Sequence, residues 1–142
     1  MKQRSGYLLK RAQHALRHSM DEALRDNGLT MAQYALLSAL EAQPEASNAD
    51  LARACFVAPQ TMIEILRDLQ KAGLITRQPH PQSRRIITTA FTLNGKSKLT
   101  EAHAAVDRVE ARMQMGLTSE ERRLLTVLLA KVCTNLTGEK AA

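Results

Sequence analysis

Aromatic side chains make up only 3% of this 142-residue chain, and tryptophan is absent. A module that stacks bases on exposed Phe and Tyr needs more of them, so this class of RNA-binding domain is disfavoured. The chain also lacks apolar runs approaching the roughly 20 residues that span a bilayer, and we expect no membrane segment. No continuous apolar stretch follows the basic N-terminal residues, so we expect no signal peptide.

The two cysteines, Cys55 and Cys133, lie far apart and form no CxxC pair, which predicts free thiols in a reducing cytoplasm. Glycine-rich phosphate loops are missing, and no Ser, His and Asp set has motif spacing, so an enzyme is not predicted. His14 and His18 lie four residues apart without forming an HExxH motif. We therefore predict no metal and no cofactor.

Residues that favour helices dominate instead, above all Ala, Leu, Arg, Gln, Glu and Met. The length suits one domain with a single core, and we predict one domain over residues 1–142.

Net positive charge is confined to two segments. Residues 1–20 hold five basic and no acidic side chains, and residues 67–100 hold seven basic and one acidic. Residues 21–66 are acidic, and residues 101–142 are balanced. A localised basic patch indicates a polyanion partner, although a solvated surface has the same composition.

Capping boxes, glycines and prolines mark the helix boundaries. Thr30, Ser47 and Thr118 each begin a capping box, and Pro59 occupies a first-turn position. The predicted helices cover residues 7–27, 30–43, 47–54, 59–72, 93–115 and 118–137. Between the fourth and fifth helices, short extended stretches at 74–77 and 86–92 flank a turn containing Pro79 and Pro81. We expect Thr92 to cap the fifth helix.

Four helices, a hairpin and two helices form the order of a winged helix-turn-helix. The predicted fold is mainly α-helical, with a small β-hairpin wing and a DNA-binding lobe over residues 30–92. The helices at 5–28 and 93–137 expose an apolar stripe too long for this lobe to cover. We therefore predict that they form the interface of a twofold homodimer.

The helix at 59–72 is the predicted recognition helix, and double-stranded DNA is the predicted partner. Its first residues would face the bases, basic residues would neutralise phosphates, and a hairpin arginine would reach the minor groove. The predicted DNA-contacting residues are Pro59, Gln60, Thr61, Glu64, Arg67, Arg77, Arg84 and Arg85. In the alternative interpretation, Gln60 and Thr61 are only a polar helix start.

Three stretches carry a resemblance to a known family: GLTMAQYALLSAL, ADLARACFVAPQTMIEILRDLQKAGLITRQPHPQSRR and FTLNGKS. In residue identity, order and spacing the chain resembles the MarR family of bacterial transcriptional regulators over nearly its whole length. The resemblance implies a winged helix-turn-helix between terminal helices that form the dimer interface.

The resemblance places the arginine of the family's wing, which enters the minor groove, on Arg85. The family's wing often carries two Asp residues at positions that are His80 and Ser83 here. These departures remove negative charge beside DNA and predict a less rigid wing. Phe56 stands where the family often has Gly, which predicts a differently shaped turn.

The resemblance also implies an effector, since the family binds anionic aromatic or phenolic ligands between its dimer and DNA lobes. The candidate effector-binding residues are Tyr7, Arg11, His14, Met31 and Tyr34. A solvated or DNA-facing helix face is the alternative for the first three.

We therefore expect a cytoplasmic homodimeric transcriptional regulator that acts as a ligand-released repressor. The alternative is a redox- or ligand-sensing dimer that acts through Cys55 or Cys133, or through protein contacts with a degenerate wing.

Overall fold

The computed structural model describes residues 4–140, which form six helices and two strands. The elements are α1 (Ser5–Arg25), α2 (Met31–Ala42), α3 (Asn48–Ala54), α4 (Pro59–Lys71), β1 (Ile75–His80), β2 (Ser83–Phe91), α5 (Leu93–Met113) and α6 (Ser119–Thr137). This order confirms the predicted winged helix-turn-helix. None of the helices within residues 4–140 is long and apolar enough to cross a membrane.

All three predicted capping boxes are present, at Thr30, Ser47 and Thr118. In each box, the hydroxyl of the capping residue accepts a hydrogen bond from the backbone N–H of the residue three positions later. The side chain of that later residue accepts a hydrogen bond from the backbone N–H of the capping residue. Because these bonds join residues three apart, sequence alone located the starts of α2, α3 and α6.

The core is built mainly of leucines from α1 to α5 and β1. The largest fully buried side chains are Leu24, Leu36, Leu37, Leu40, Leu51, Met62, Leu66, Leu69, Ile75 and Leu99. This arrangement fixes α4, since its inner face contributes three of these side chains.

Thr92 joins the end of α4 to the start of α5. Its hydroxyl donates to the Gly73 carbonyl at 2.6 Å and accepts the Gly95 N–H at 2.9 Å, which confirms the predicted cap. Its backbone N–H donates to the Leu74 carbonyl at 3.1 Å. Gly95 is required here because a Cβ would lie 1.9 Å from that carbonyl oxygen.

The hairpin is longer than predicted, and the predicted turn was wrong at Pro79. Pro79 lies within β1 opposite Ile87, so the turn is reduced to residues 81–82. In a two-stranded sheet both strands are edge strands, and an edge strand tolerates a proline, which has no N–H to donate.

The chain divides within α5 into two compact units, one up to Val109 and one from Glu110 onward. In the second unit, α6 buries none of its residues. Its exposed apolar side chains are Leu124, Val127, Leu128, Leu129, Val132 and Leu136.

Candidate nucleic-acid interface

The outer face of α4 is mainly polar and exposed, with Ile63 as its exposed apolar residue. Gln60, Thr61, Glu64 and Arg67 are all exposed. Within residues 4–140, their side chains form no hydrogen bond or ion pair, whereas Met62 and other residues of the opposite face are buried. The core therefore holds the helix rigidly while its outer polar groups remain free to bind another molecule.

The N-terminus of α4 is open as well. Pro59 occupies its first turn, and Ala58 at the N-cap provides no side-chain hydrogen bond. No acidic residue lies in the first turn. Free N–H groups at a helix N-terminus favour an anion, so this end of α4 suits a phosphate.

Arg77 lies on β1 beside the start of α3. Its Nη2 donates to Oδ1 of Asn48 at 3.5 Å, and its Nε is buried without a hydrogen-bond partner in the described chain. The guanidinium is thus held near the first residue of α3 rather than extended into solvent. Its Nε has an unused donor, which an acceptor can reach only after the side chain moves.

The wing arginines stand in an irregular part of the hairpin. His80 pairs with Ser83 and Pro79 with Ile87, so residues 84–86 lie opposite a single peptide bond of β1. Arg84 and Arg85 are exposed in this bulge. Bulges redirect side chains, which here separates both arginines from the regular strand pairing.

Local hydrogen bonds hold the wing tip despite the missing acidic residues. The Gln82 N–H donates to Nδ1 of His80 at 3.1 Å, and the Thr88 hydroxyl donates to the Gln78 carbonyl at 3.0 Å. His80 therefore supplies an acceptor at one of the two positions where the resemblance leads one to expect Asp.

The turn between α3 and α4 contains Phe56, whose φ is 55°. This is the left-handed conformation that glycine adopts without strain. Phe56 thus adopts a φ that glycine favours, and the differently shaped turn stays a prediction. The substitution places an aromatic ring on the surface, with 96% of its area exposed.

On α1, Tyr7 and Arg11 form a cation–π contact, with the guanidinium carbon 5.9 Å from the ring centroid. His14 is exposed on the same helix. With a rise of about 1.5 Å per residue, Tyr7 lies about 25 Å along α1 from Leu24, close to where α2 begins. Within the described part of one protomer, no hydrogen bond or ring contact joins these α1 residues to Met31 or Tyr34. The effector site stays a prediction.

Tyr34 belongs to a polar chain that sequence reasoning missed. Its hydroxyl lies 2.8 Å from Nδ1 of His103 on α5, and Nε2 of His103 lies 2.9 Å from Oε1 of Glu41. Burial raises the pKa of Tyr34 above the ordinary value of a phenol. No sequence signal links residues 69 positions apart.

The cysteines do not favour the redox alternative. Cys55 caps α3, and burial raises the pKa of its thiol. Because the thiolate is the reactive form, this shift opposes peroxide sensing. Cys133 lies exposed on α6.

Comparisons with known proteins agree with this geometry. A model of the MarR family matches residues 29–87. The HTH-type transcriptional repressor Rv2887 of Mycobacterium tuberculosis is 35% identical over 127 residues, which cover 89% of this chain and 91% of the relative.

Solved structures extend the likeness to the fold. Rv2887 in complex with DNA is similar with a TM-score of 0.76 and 32% identity, covering 91% of this chain and 97% of that one. Rv2887 in complex with salicylic acid gives 0.74 and 34%, covering 91% and 96%. BpsR of Bordetella bronchiseptica, whose DNA binding is regulated by 6-hydroxynicotinic acid, gives 0.80 and 25%, covering 94% and 95%.

A winged helix-turn-helix with an open recognition helix defines a DNA-binding transcriptional regulator. The sequence identity to Rv2887 extends over most of both chains, and it assigns this chain to one family within that class. The chain belongs to the MarR family.

Proposed function

We propose that this protein is a cytoplasmic homodimeric repressor that binds a pseudopalindromic operator and is released by a small anionic aromatic ligand. One observation carries the proposal: the exposed face of α4 combines polar and basic side chains without intramolecular partners in the described chain. An uncommitted polar face on a rigidly packed helix suits recognition of base edges in a major groove.

Four side chains on the exposed side of α4 have a suitable partner on DNA. The side-chain amide of Gln60 can donate a hydrogen bond to N7 of adenine and accept one from its N6 amino group. Glu64 can accept a hydrogen bond from the amino group of cytosine. Arg67 and Lys71 lie further along the exposed side of α4 and suit phosphates. The wing adds Arg85, whose exposure within the bulge suits a narrow minor groove.

Dimerisation is supported by apolar surface that the chain leaves open. α1 exposes Tyr7, Leu8 and Leu9, and no side chain of α6 is fully buried. Leaving such surface in water costs about 25 cal/mol per Å², so an interface that covers it is stabilising. A twofold dimer presents two copies of α4 to successive major grooves.

Release by an aromatic acid is supported by the complex of Rv2887 with salicylic acid and by the regulation of BpsR by 6-hydroxynicotinic acid. On this chain, Arg11 and His14 provide cationic or hydrogen-bonding groups for a carboxylate, and Tyr7 provides an aromatic surface. A ligand lowers DNA affinity only by its preference between two dimer conformations.

Salt dependence tests the DNA-binding proposal. Genomic fragments selected by the protein supply the duplex, and fluorescence anisotropy gives its affinity between 50 and 200 mM salt. Each neutralised phosphate contributes about −0.9 to the slope of log affinity against log salt. Because a dimer carries two copies, Arg67→Ala should reduce the slope by about 2.

Arg122→Ala is the matched control, since it removes the same charge from the exposed surface of α6. It should leave the slope unchanged. A wild-type affinity that ignores salt, or a selection that enriches no fragment, would contradict the proposed function.

A further inference from the structure

Phe56 combines two unfavourable features at one position. It is the one non-glycine residue with positive φ in the described chain, and its ring is almost fully exposed. An aromatic side chain strains this backbone conformation, and apolar surface in water is unfavourable. A residue that carries both costs while its ring is left almost wholly in solvent points to a contact of that ring outside its own chain.

Backbone hydrogen bonds hold the turn that carries Phe56. The Phe56 N–H donates to the Arg53 carbonyl at 3.2 Å, and the Val57 N–H donates to the Ala52 carbonyl at 3.1 Å. Val57 packs against the core, and Ala52 is buried within it. The ring is therefore presented on a constrained turn rather than on a mobile loop.

The position adjoins the proposed DNA interface. Phe56 precedes Pro59, the first residue of α4, by three residues, so their Cα atoms lie within about 11 Å. This is the open end of the recognition helix, where Gln60 and Thr61 begin its polar face. A DNA duplex bound to that face is large enough to reach the neighbouring turn.

We propose that Phe56 contacts the operator, with its ring against apolar C–H surface of the duplex beside the bases that Gln60 reaches. Two groups of DNA offer this chemistry: the C5 methyl of thymine at the floor of the major groove and the deoxyribose at its wall. The proposal rests on the proposed function, since it requires that α4 enters a major groove.

Two variants that accept positive φ test the proposal. Phe56→Gly removes the ring and relieves the strain, and Phe56→Asn removes the ring while tolerating the same backbone conformation. Both should fold at least as stably as wild type yet bind the selected operator about 10-fold more weakly, since each dimer loses two apolar contacts. Leu93→Ala, which shortens another highly exposed apolar side chain, is the control and should bind normally.

Operators in which deoxyuridine replaces thymine separate the two contact groups. If the ring meets a methyl, the substitution weakens wild-type binding and leaves Phe56→Gly unaffected. If it meets deoxyribose, wild type ignores the substitution while the loss in Phe56→Gly persists. Both results support a DNA contact and identify its partner.

Three results would overturn the inference. Equal operator affinity of wild type and Phe56→Gly would remove Phe56 from the interface while leaving the proposed function intact. A loss of dimer in sedimentation that accounts for the weaker binding would assign the ring to a second copy instead. Failure of wild type to bind any duplex would reject the proposed function together with this contact.

Discussion

Gly95→Ala tests how closely α5 packs on the start of the wing. The added Cβ would lie 1.9 Å from the Leu74 oxygen, 2.9 Å from its carbonyl carbon and 3.2 Å from its Cα. Ordinary contacts lie near 3.5 Å, and all three atoms belong to the backbone. Since no flexible side chain can yield, α5 or β1 has to move by more than 1 Å.

The magnitude follows from three effects. Overpacking typically costs about 1–3 kcal/mol. Displacing the Leu74 carbonyl weakens the bond it accepts from the Thr92 N–H, and an unpaired buried acceptor costs a further 1–3 kcal/mol or so. Alanine returns about 1 kcal/mol through its higher helix propensity. We expect a net loss of about 3 kcal/mol, a large share of a typical domain's stability.

Urea denaturation followed by circular dichroism at fixed protomer concentration measures this loss. Gly6→Ala is the matched control, because a Cβ at that position in α1 meets nothing within 4 Å. Because Gly6 lies in the first turn of α1, the change should stabilise the protein by less than about 0.5 kcal/mol. A Gly95→Ala midpoint equal to that of wild type would refute the close approach between α5 and Leu74.

Three further predictions concern the site, and one concerns the capping box of α3. Gln60→Ala should cost about 1–3 kcal/mol on the operator and much less on random DNA, and equal losses in anisotropy titrations would reduce Gln60 to a positioning residue. Arg85→Ala should weaken binding to every duplex, most where the minor groove is narrow, with an unchanged melting temperature; unaltered affinity at physiological salt would remove Arg85 from the interface. Hydrogen bonds from Ser47 lower the pKa of Asp50, so its contribution is present above its unfolded pKa and is lost as pH falls. Wild type should therefore lose stability below about pH 4 more steeply than Asp50→Asn, and parallel acid-denaturation curves would disprove this. Salicylate should weaken operator binding about 5–150-fold, and Arg11→Ala should abolish the response while sparing ligand-free affinity; an unchanged response would move the pocket elsewhere.

Local interactions explain what the sequence by itself determined. The capping boxes at Thr30, Ser47 and Thr118 join residues three apart, so their pattern is complete within one turn of helix. The face of α4 that carries Gln60 and Arg67 follows from helical periodicity, which separates these polar positions from the leucines of the core. The order of the elements and the position of the polar face could therefore be predicted from the sequence alone.

Contacts between distant residues were decided only by the tertiary structure. The chain from Tyr34 through His103 to Glu41 needs α2 and α5 side by side, which no spacing in the sequence reveals. The sequence showed Phe56 as an unusual turn residue, but its exposure depends on how α3 and α4 pack around the turn. The sequence likewise predicts a turn at Pro79, whereas strand pairing places Pro79 in an edge strand. The sequence encodes local preferences, and packing decides which of them are overridden.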